Sequence, residues 1–416
     1  MVSPSSRRRA LVAVLAAQFL SSLADNALLI AAIGLLAERG APSWMTPALR
    51  MFFYMSYVAL AAVAGAVADS VPKGRVILVT SVVKLCGCAL LVAHLQPLLA
   101  YTLVGLGAAA YSPAKYGILP ELLPPSELVA ANAWMEALTV LSIILGVGLG
   151  SALLQPWAAL QYPSATPAGS ATAAIGIIYL IATLFAAAIP AGTAQRIGAL
   201  GSRSLLRDFL VAQRRLWQDH AAGISLSVTS LFWAISAVLQ FIVLRWSEQV
   251  LHLPLDQGAL LQIAVAAGMV GGAVVAGRWL GLGDALKVLP LGLVIGLTVL
   301  AMVLIKTVWL AALLLALIGL LSGVFVVPMN ALLQNRGNAL MRPGQAVAVQ
   351  NCNESLASLL LLAIYGGLLY VDAPLLPMIV GFGVFVCAAM MLIMLLLPGR
   401  RGRVTLETAL TTPELK

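Results

Sequence analysis

From Ala10 to about Pro398 the chain repeats one unit, an apolar run of roughly twenty residues followed by a short polar connector. That repetition constrains the fold more than any motif does. The runs are continuous rather than alternating, which favours helices over barrel strands. A helix pairs its own backbone N–H and C=O groups, so it can cross hydrocarbon without leaving them unsatisfied. About twelve runs are long enough to span, near residues 10–37, 47–69, 76–95, 97–118, 129–155, 170–190, 221–245, 258–281, 286–306, 308–334, 345–371 and 374–398. The fold class expected is an all-α polytopic membrane protein. With 62% hydrophobic and 9% charged residues and a mean hydropathy of +1.02, the composition excludes a soluble globular domain.

A net charge of +9 in a soluble chain would suggest nucleic acid as a partner. Here the basic residues sit between apolar runs, so they report topology and no nucleic-acid partner is expected. With the N-terminus assigned to the cytoplasm, the outer side holds only Arg39, Arg50, Arg245 and Lys306, and Lys84 lies inside a run. The other basic residues fall on the cytoplasmic side, among them Arg7-Arg8-Arg9, Lys73, Arg75, Lys115 and the central Arg196, Arg203, Arg207, Arg214 and Arg215. Both termini are therefore expected to be cytoplasmic. The triple arginine ahead of an apolar run resembles a signal peptide, but the run is too long and carries Asp25, so it reads as a retained first helix. The longest polar interruption, Ala191 to His220, divides six runs from six. The organisation expected is a first six-helix half (1–190), a basic cytoplasmic linker (191–220), a second six-helix half (221–398) and a cytoplasmic tail (399–416).

A weak internal repeat supports two related halves. Gly105 leads to Tyr111-Ser112-Pro113-Ala114-Lys115-Tyr116-Gly117 and then Asn132-Ala133-Trp134-Met135-Glu136; Gly319 leads to Val326-Val327-Pro328-Met329-Asn330-Ala331-Leu332 and then Gln350-Asn351-Cys352-Asn353-Glu354. Pro113 matches Pro328 and Glu136 matches Glu354. Parallel repeats of this kind are the layout of the major facilitator fold, with the substrate path between the halves.

Charges inside the runs are the functional suspects, because each costs about 3 kcal/mol or more in hydrocarbon unless it meets a partner or a polar cavity. Asp25 and Asn26 stand mid-way along the first run, below Gln18, Ser21 and Ser22. Asp25 reads either as a structural partner of the buried Lys84 or as a cavity-lining carboxylate. Glu136 and Glu354 occupy repeat-related spans, and Gln350 shares a helical face with Glu354; with Asn351 they make a polar stripe that lines a cavity or bonds neighbouring helices. Lys115 either obeys the positive-inside rule or meets an anionic headgroup. On the seventh span Gln240 is expected to face the interior, and Arg245 either attracts an anion at the outer entrance or snorkels.

Between the second and third runs, Gly65-Ala66-Val67-Ala68-Asp69-Ser70-Val71-Pro72-Lys73-Gly74-Arg75 resembles the G-x-x-x-D-x-x-x-x-G-R loop of major facilitator transporters. Gly65 allows close packing, while Asp69 can pair with Lys73, Arg75 or a neighbouring helix and so favour one of two rocking states. The bland reading is an ordinary polar hairpin. The corresponding second-half loop keeps Gly277, Arg278 and Asp284 but is degenerate. No enzyme constellation, nucleotide loop, metal cluster or cofactor site is evident, and the histidines His94, His220 and His252 fall in expected loops. Cys86, Cys88, Cys352 and Cys387 lie inside apolar runs and read as packing residues.

The stretches Gln18 to Leu29, Gly107 to Leu122, Thr229-Ser230-Leu231-Phe232-Trp233 and Val326 to Gln334 resemble the bacterial lysophospholipid transporters of the major facilitator superfamily, over most of both halves. The resemblance implies an inner-membrane flippase that moves lysophosphatidylethanolamine and related lysophospholipids from the outer to the cytoplasmic leaflet. It further implies re-acylation there by a separate acyltransferase/acyl–carrier-protein synthetase. The family's charged residue on span one corresponds to Asp25 and its S-P-A-K-Y-G lysine to Lys115. The family carries an arginine a few residues after the S-L-F-W segment; this chain has Gln240 there, and Arg245 is the nearest arginine. Two other readings remain: a proton-coupled exporter of amphipathic drugs using Asp25 or Glu136, and a non-transporting scaffold for the acyltransferase.

Overall fold

A computed structural model describes residues 4–41, 45–93, 95–155, 166–190, 202–253, 255–371 and 373–395. Among these residues there is no strand, and thirteen helices of more than one turn are present: α1 (Pro4–Glu38), α2 (Met45–Ser70), α3 (Lys73–Val92), α4 (Pro97–Gly117), α5 (Pro125–Leu153), α6 (Pro167–Ala187), α7 (Ser202–Gln218), α8 (His220–Gln249), α9 (Leu255–Trp279), α10 (Leu289–Ala301), α11 (Val308–Leu340), α12 (Pro343–Tyr370) and α13 (Leu375–Leu395). Ten of the helices are long and apolar enough to cross a membrane. The remaining two of the expected set are α4, diluted by small and polar residues, and α10, which a 3-10 turn extends to Leu304. Expectations for the tail, for His94 and for the segment 191–201 lie outside the described residues.

Proline and small capping side chains set the boundaries. Proline opens α4, α5, α6 and α12, where its missing N–H has no helical partner to lose. The Gln96 side chain accepts from Leu98 N and Leu99 N, Thr166 from Gly169 N and Asp219 from Ala222 N. The repeat-related Pro113 and Pro328 both lie inside their helices, as neighbouring membrane helices permit. Two differences from the sequence reading concern the centre of the chain. The interruption Ala191–His220 contains a helix of its own, α7, and His220 is the first residue of α8 rather than part of a loop.

The chain forms two compact units that interleave the sequence halves. Of the described residues, one holds those within 4–123, 141–215 and 337–355; the other holds those within 124–140, 216–336 and 356–395. In the first, α1 packs on α6, and α4 lies against α2 and α3. Its core joins Leu28, Leu35, Leu49, Leu91, Tyr101, Ile175 and Tyr179. In the second, α10 packs on α13 and the core runs through Ile242, Trp246, Val299, Leu315, Ile379 and Val386.

Glycine pairs four residues apart hold helices at backbone contact. A Cβ at Gly146 or Gly150 of α5 would meet the carbonyl oxygens of Leu23 and Ala27 on α1 at 2.6 and 2.7 Å. Between α9 and α11 the contact is reciprocal: Gly268 and Gly272 abut the backbone at Ala316 and Leu320, and Gly319 and Gly323 abut it at Val265 and Met269. Lipid gives apolar side chains no hydrophobic reason to associate, so this close packing supplies the attraction.

Candidate functional site

The first unit contains a buried ion pair at the middle of α1. Asp25 Oδ2 accepts from Lys84 Nζ at 2.6 Å, and Oδ1 accepts from the Tyr179 hydroxyl at 2.7 Å. Lys84 also donates to Ser21 Oγ at 2.9 Å and stands 5.0 Å from the centroid of the Tyr111 ring. Ser21 and Asp25 are four apart and share a helical face. Gly107 of α4 makes room for the lysine, since a Cβ there would meet Lys84 Cγ at 2.8 Å. The Lys84 side chain is 3% exposed and that of Asp25 13%. Sequence reasoning paired the two charges but missed Tyr179, which nothing in its local sequence marks. Asn26 turns away, donating to Ser22 O on its own helix at 2.8 Å.

At the end of α2, the Asp69 carboxylate closes on the first turn of α12. Oδ1 accepts from Gly344 N at 2.7 Å and Oδ2 from Gln345 N at 2.9 Å. Two of the four orphan N–H groups at that helix start are thereby satisfied, and the negative charge sits at the positive end of the helix dipole. Lys73 balances the charge at 3.8 Å and also binds Glu121. Glycine is required on both sides of the joint: a Cβ on Gly65 would meet Ala348 Cβ at 2.8 Å, and one on Gly344 would meet Asp69 Oδ1 at 2.7 Å. Gly74 abuts the Pro190 carbonyl, and Arg75 is exposed. Thus of the partners open to Asp69, the structure uses Lys73 and a neighbouring helix.

The second-half counterpart is built differently. Asp284 accepts from Gly281 N at 3.0 Å and from Lys287 Nζ at 3.0 Å, all within one turn. These two donors hold its carboxyl below the usual carboxylate range. Degeneracy of the motif here means a carboxylate consumed locally instead of reaching a distant helix.

A polar layer in the second unit joins residues 125–140 of α5 to α11. Asn132 and Gln334 exchange two amide hydrogen bonds at 3.0 and 2.7 Å, and Asn330 Nδ2 donates to Glu136 Oε1 at 2.8 Å. Asn132 and Glu136 are 0% exposed. Arg336 binds Asp219, the residue that caps α8. The amide partners Asn132 and Gln334 escaped sequence reasoning, although both lay in segments it quoted.

The other candidates disperse. Gln350 donates to Glu354 Oε1 at 2.7 Å, as their spacing implied. Asn351 is part-buried, and its Nδ2 meets no acceptor among the described residues. Lys115 is buried, with Nζ 4.6 Å from the Tyr116 ring centroid. Gln240 is exposed, and its backbone carbonyl accepts from Gln262 Nε2 at 3.0 Å. Arg245 is part-buried beside Tyr365. All four cysteines are free; Cys86 is exposed, and Cys88 and Cys352 are buried. No group of His, Cys, Asp and Glu among the described residues could hold a metal ion.

These arrangements pair charges and latch helices. Comparisons with known proteins identify the fold and the family. Residues 14–360 match the Major Facilitator Superfamily. The chain is 41% identical over 369 residues to the lysophospholipid transporter LplT of Yersinia pestis (strain Pestoides F), covering 88% of each chain. The LplT of Yersinia pseudotuberculosis serotype O:3 (strain YPIII) gives the same values. Among solved structures, the human organic anion transporter MFSD10 (TETRAN) aligns with a TM-score of 0.72 at 17% identity, over 95% of this chain and 100% of that one. The transporter FucP gives 0.72 at 12% identity with the same coverage. A bacterial homologue of the iron transporter ferroportin gives 0.70 at 14%, over 92% of this chain and 99% of that one. The chain is a multi-pass membrane protein that belongs to the Major Facilitator Superfamily and, within it, to the lysophospholipid transporter family.

Proposed function

We propose that this protein moves lysophosphatidylethanolamine and related lysophospholipids from the outer to the cytoplasmic leaflet of the bacterial inner membrane, by alternating access of its two sequence halves. The observation that carries the substrate class is the 41% identity, sustained over 88% of the chain, to proteins named for lysophospholipid transport. Both termini are cytoplasmic in this reading, and a separate acyltransferase/acyl–carrier-protein synthetase re-acylates the delivered lipid.

The geometry supports a mechanism. Asp69 on Gly344 and Gln345 ties the end of α2 to the start of α12. Breaking that latch is the switch between states. In the buried cluster the Asp25 carboxylate is already neutralised by Lys84, so an ethanolamine ammonium entering the polar interior competes with Lys84 for it, while the acyl chain stays in lipid. The test is lysophosphatidylethanolamine uptake into proteoliposomes of the purified chain, with and without a protonophore. Uptake that survives the protonophore is the expected result. Uptake that collapses would instead favour proton coupling at Asp25 or Glu136. Absence of uptake would overturn the substrate assignment.

A further inference from the structure

The second unit carries a cavity that none of the charge clusters uses. It is an apolar groove of about 400 Å³ between α8, α12 and α13, lined by Val238, Ile242, Leu361, Tyr365, Pro377 and Gly381 among others. That volume lies in the range of small-molecule sites. Ile364 and Phe385, also in its wall, are 52% and 43% exposed, so the groove opens sideways along its length.

Beyond one end of the groove two buried polar groups lie side by side. Val238, Ile242 and Arg245 lie on one stripe of α8, at i, i+4 and i+7, so Arg245 continues the groove wall beyond Ile242. The Tyr365 hydroxyl stands beside the Arg245 guanidinium, and the Tyr365 ring stacks on Phe241 with centroids 6.2 Å apart. Tyr365 is only 6% exposed. Neither its hydroxyl nor Arg245 Nη1, both buried, has a hydrogen-bond partner among the described residues. The phenol oxygen can accept from the guanidinium, but the phenol O–H and Arg245 Nη1 are still left without acceptors, which is costly. A guanidinium and a phenol converging on one spot suit a phosphate oxygen.

We infer that Arg245 and Tyr365 clamp the phosphate of a single-chain phospholipid whose acyl chain lies in the groove of α8, α12 and α13. The groove takes one chain, which selects a lysolipid over a diacyl lipid. This deepens the proposed function and rests on it for the identity of the lipid. In the topology proposed above, Arg245 lies near the outer end of α8, so the groove receives lysolipid from the outer leaflet before the headgroup reaches the interior.

The experiment is photolabelling of the full chain in phosphatidylcholine nanodiscs, using lysophosphatidylethanolamine with a diazirine in its acyl chain and mass spectrometry of the labelled peptides. Label is expected on the groove segments of α8, α12 or α13. A Cβ at Gly381 meets nothing within 4 Å, so Gly381→Phe projects into free space and should cut labelling about tenfold or more without disturbing the fold. Arg245→Gln and Tyr365→Phe should lower it about three- to tenfold. The same Arg245 change should leave labelling by a diazirine monoacylglycerol, which has no phosphate, unaltered. Labelling elsewhere, labelling indifferent to Gly381→Phe, or displacement by diacyl phosphatidylethanolamine as effective as by lysolipid would overturn the inference. Labelling reads occupancy whether or not the chain transports. Loss of the uptake reading with intact, variant-sensitive labelling would therefore leave the groove standing.

Discussion

The pair Asp25–Lys84 makes a prediction whose size follows from its surroundings. Asp25→Asn would leave the Lys84 ammonium, 3% exposed, with a serine hydroxyl, an amide and a ring face in place of its counter-ion. Removing one partner from a buried pair costs about 3–5 kcal/mol, chiefly because the remaining charge is stranded. Lys84→Met should cost a similar amount by stranding the carboxylate, which keeps only the Tyr179 hydroxyl. Removing both charges changes the balance, since neither ion then has to be desolvated, and such replacements are often neutral or stabilising. Asp25→Leu with Lys84→Met still leaves the Tyr179 hydroxyl without its acceptor, at about 1–3 kcal/mol; adding Tyr179→Phe removes that loss. The triple variant should therefore be more stable than either single one, a non-additivity of several kcal/mol that a mutant cycle reads directly. The assay is denaturant unfolding of the purified chain in detergent, paired with lysolipid uptake. Single variants within about 1 kcal/mol of the parent, or singles that simply add, would refute the claim that the two charges form one dry, mutually dependent pair. If the carboxylate also receives the headgroup, the stable charge-free variant should lose at least tenfold in uptake.

The latch at Asp69 should respond to both of its sides. Asp69→Ala removes a charge-assisted double cap and should shift the protein between its transport states, by about 1–3 kcal/mol, read as changed reactivity of cysteines introduced at the two membrane faces; Gly344→Ala should act in the same direction, because its Cβ would meet Asp69 Oδ1 at 2.7 Å. Asn132→Leu together with Gln334→Leu should be far milder than either change alone, since each single change strands a buried amide; thermal unfolding of the three variants decides it. Gly272→Ile or Gly319→Ile should abolish folding of the second unit, as both sites abut backbone, and normal expression of a monodisperse protein would contradict the packing described. In the Gly281–Lys287 turn the Asp284 carboxyl is held low, so its cap is intact at neutral pH and is lost only as acid carries the pH down through that lowered value; amide exchange at Gly281 should rise there, and Asp284→Asn should abolish the pH dependence.

The helices were legible because each is a local matter. A continuous apolar run in hydrocarbon has one way to satisfy its backbone, and proline marks where α4, α5, α6 and α12 begin. The helix α7 was not seen, because its apolar residues are divided between a buried stripe, Ala212 and Leu216, and exposed positions, Leu206, Leu210 and Trp217, so no uninterrupted run announces it. The glycine pairs of α5, α9 and α11 did carry a signal, the G-x-x-x-G spacing, but that spacing states that a partner comes close without naming it. Asp25 and Lys84 could be matched because Lys84, like that carboxylate, falls in the middle of an apolar run. Glu136 could not, because its partner Asn330 is one of many amides at a comparable depth.

The same distinction bears on how the two halves came to differ. Pro113 and Pro328 are repeat-related, so Lys115 and Asn330 occupy equivalent positions, as do Glu136 and Glu354. In the second unit the equivalence has a structural form: Asn330 donates to Glu136. The carboxylate is thus retained in both repeats, while the position two residues after the proline holds an ammonium in the first and an amide in the second. An amide can satisfy one carboxylate oxygen without neutralising it, whereas an ammonium can do both. The two loops diverge in the same sense, with Asp69 reaching the start of α12 and Asp284 confined to its own turn. Placing an interhelical cap on one repeat alone makes the two loops unequal: a change at Asp69 alters contacts between helices and can shift a conformational equilibrium, whereas a change at Asp284 alters a single turn.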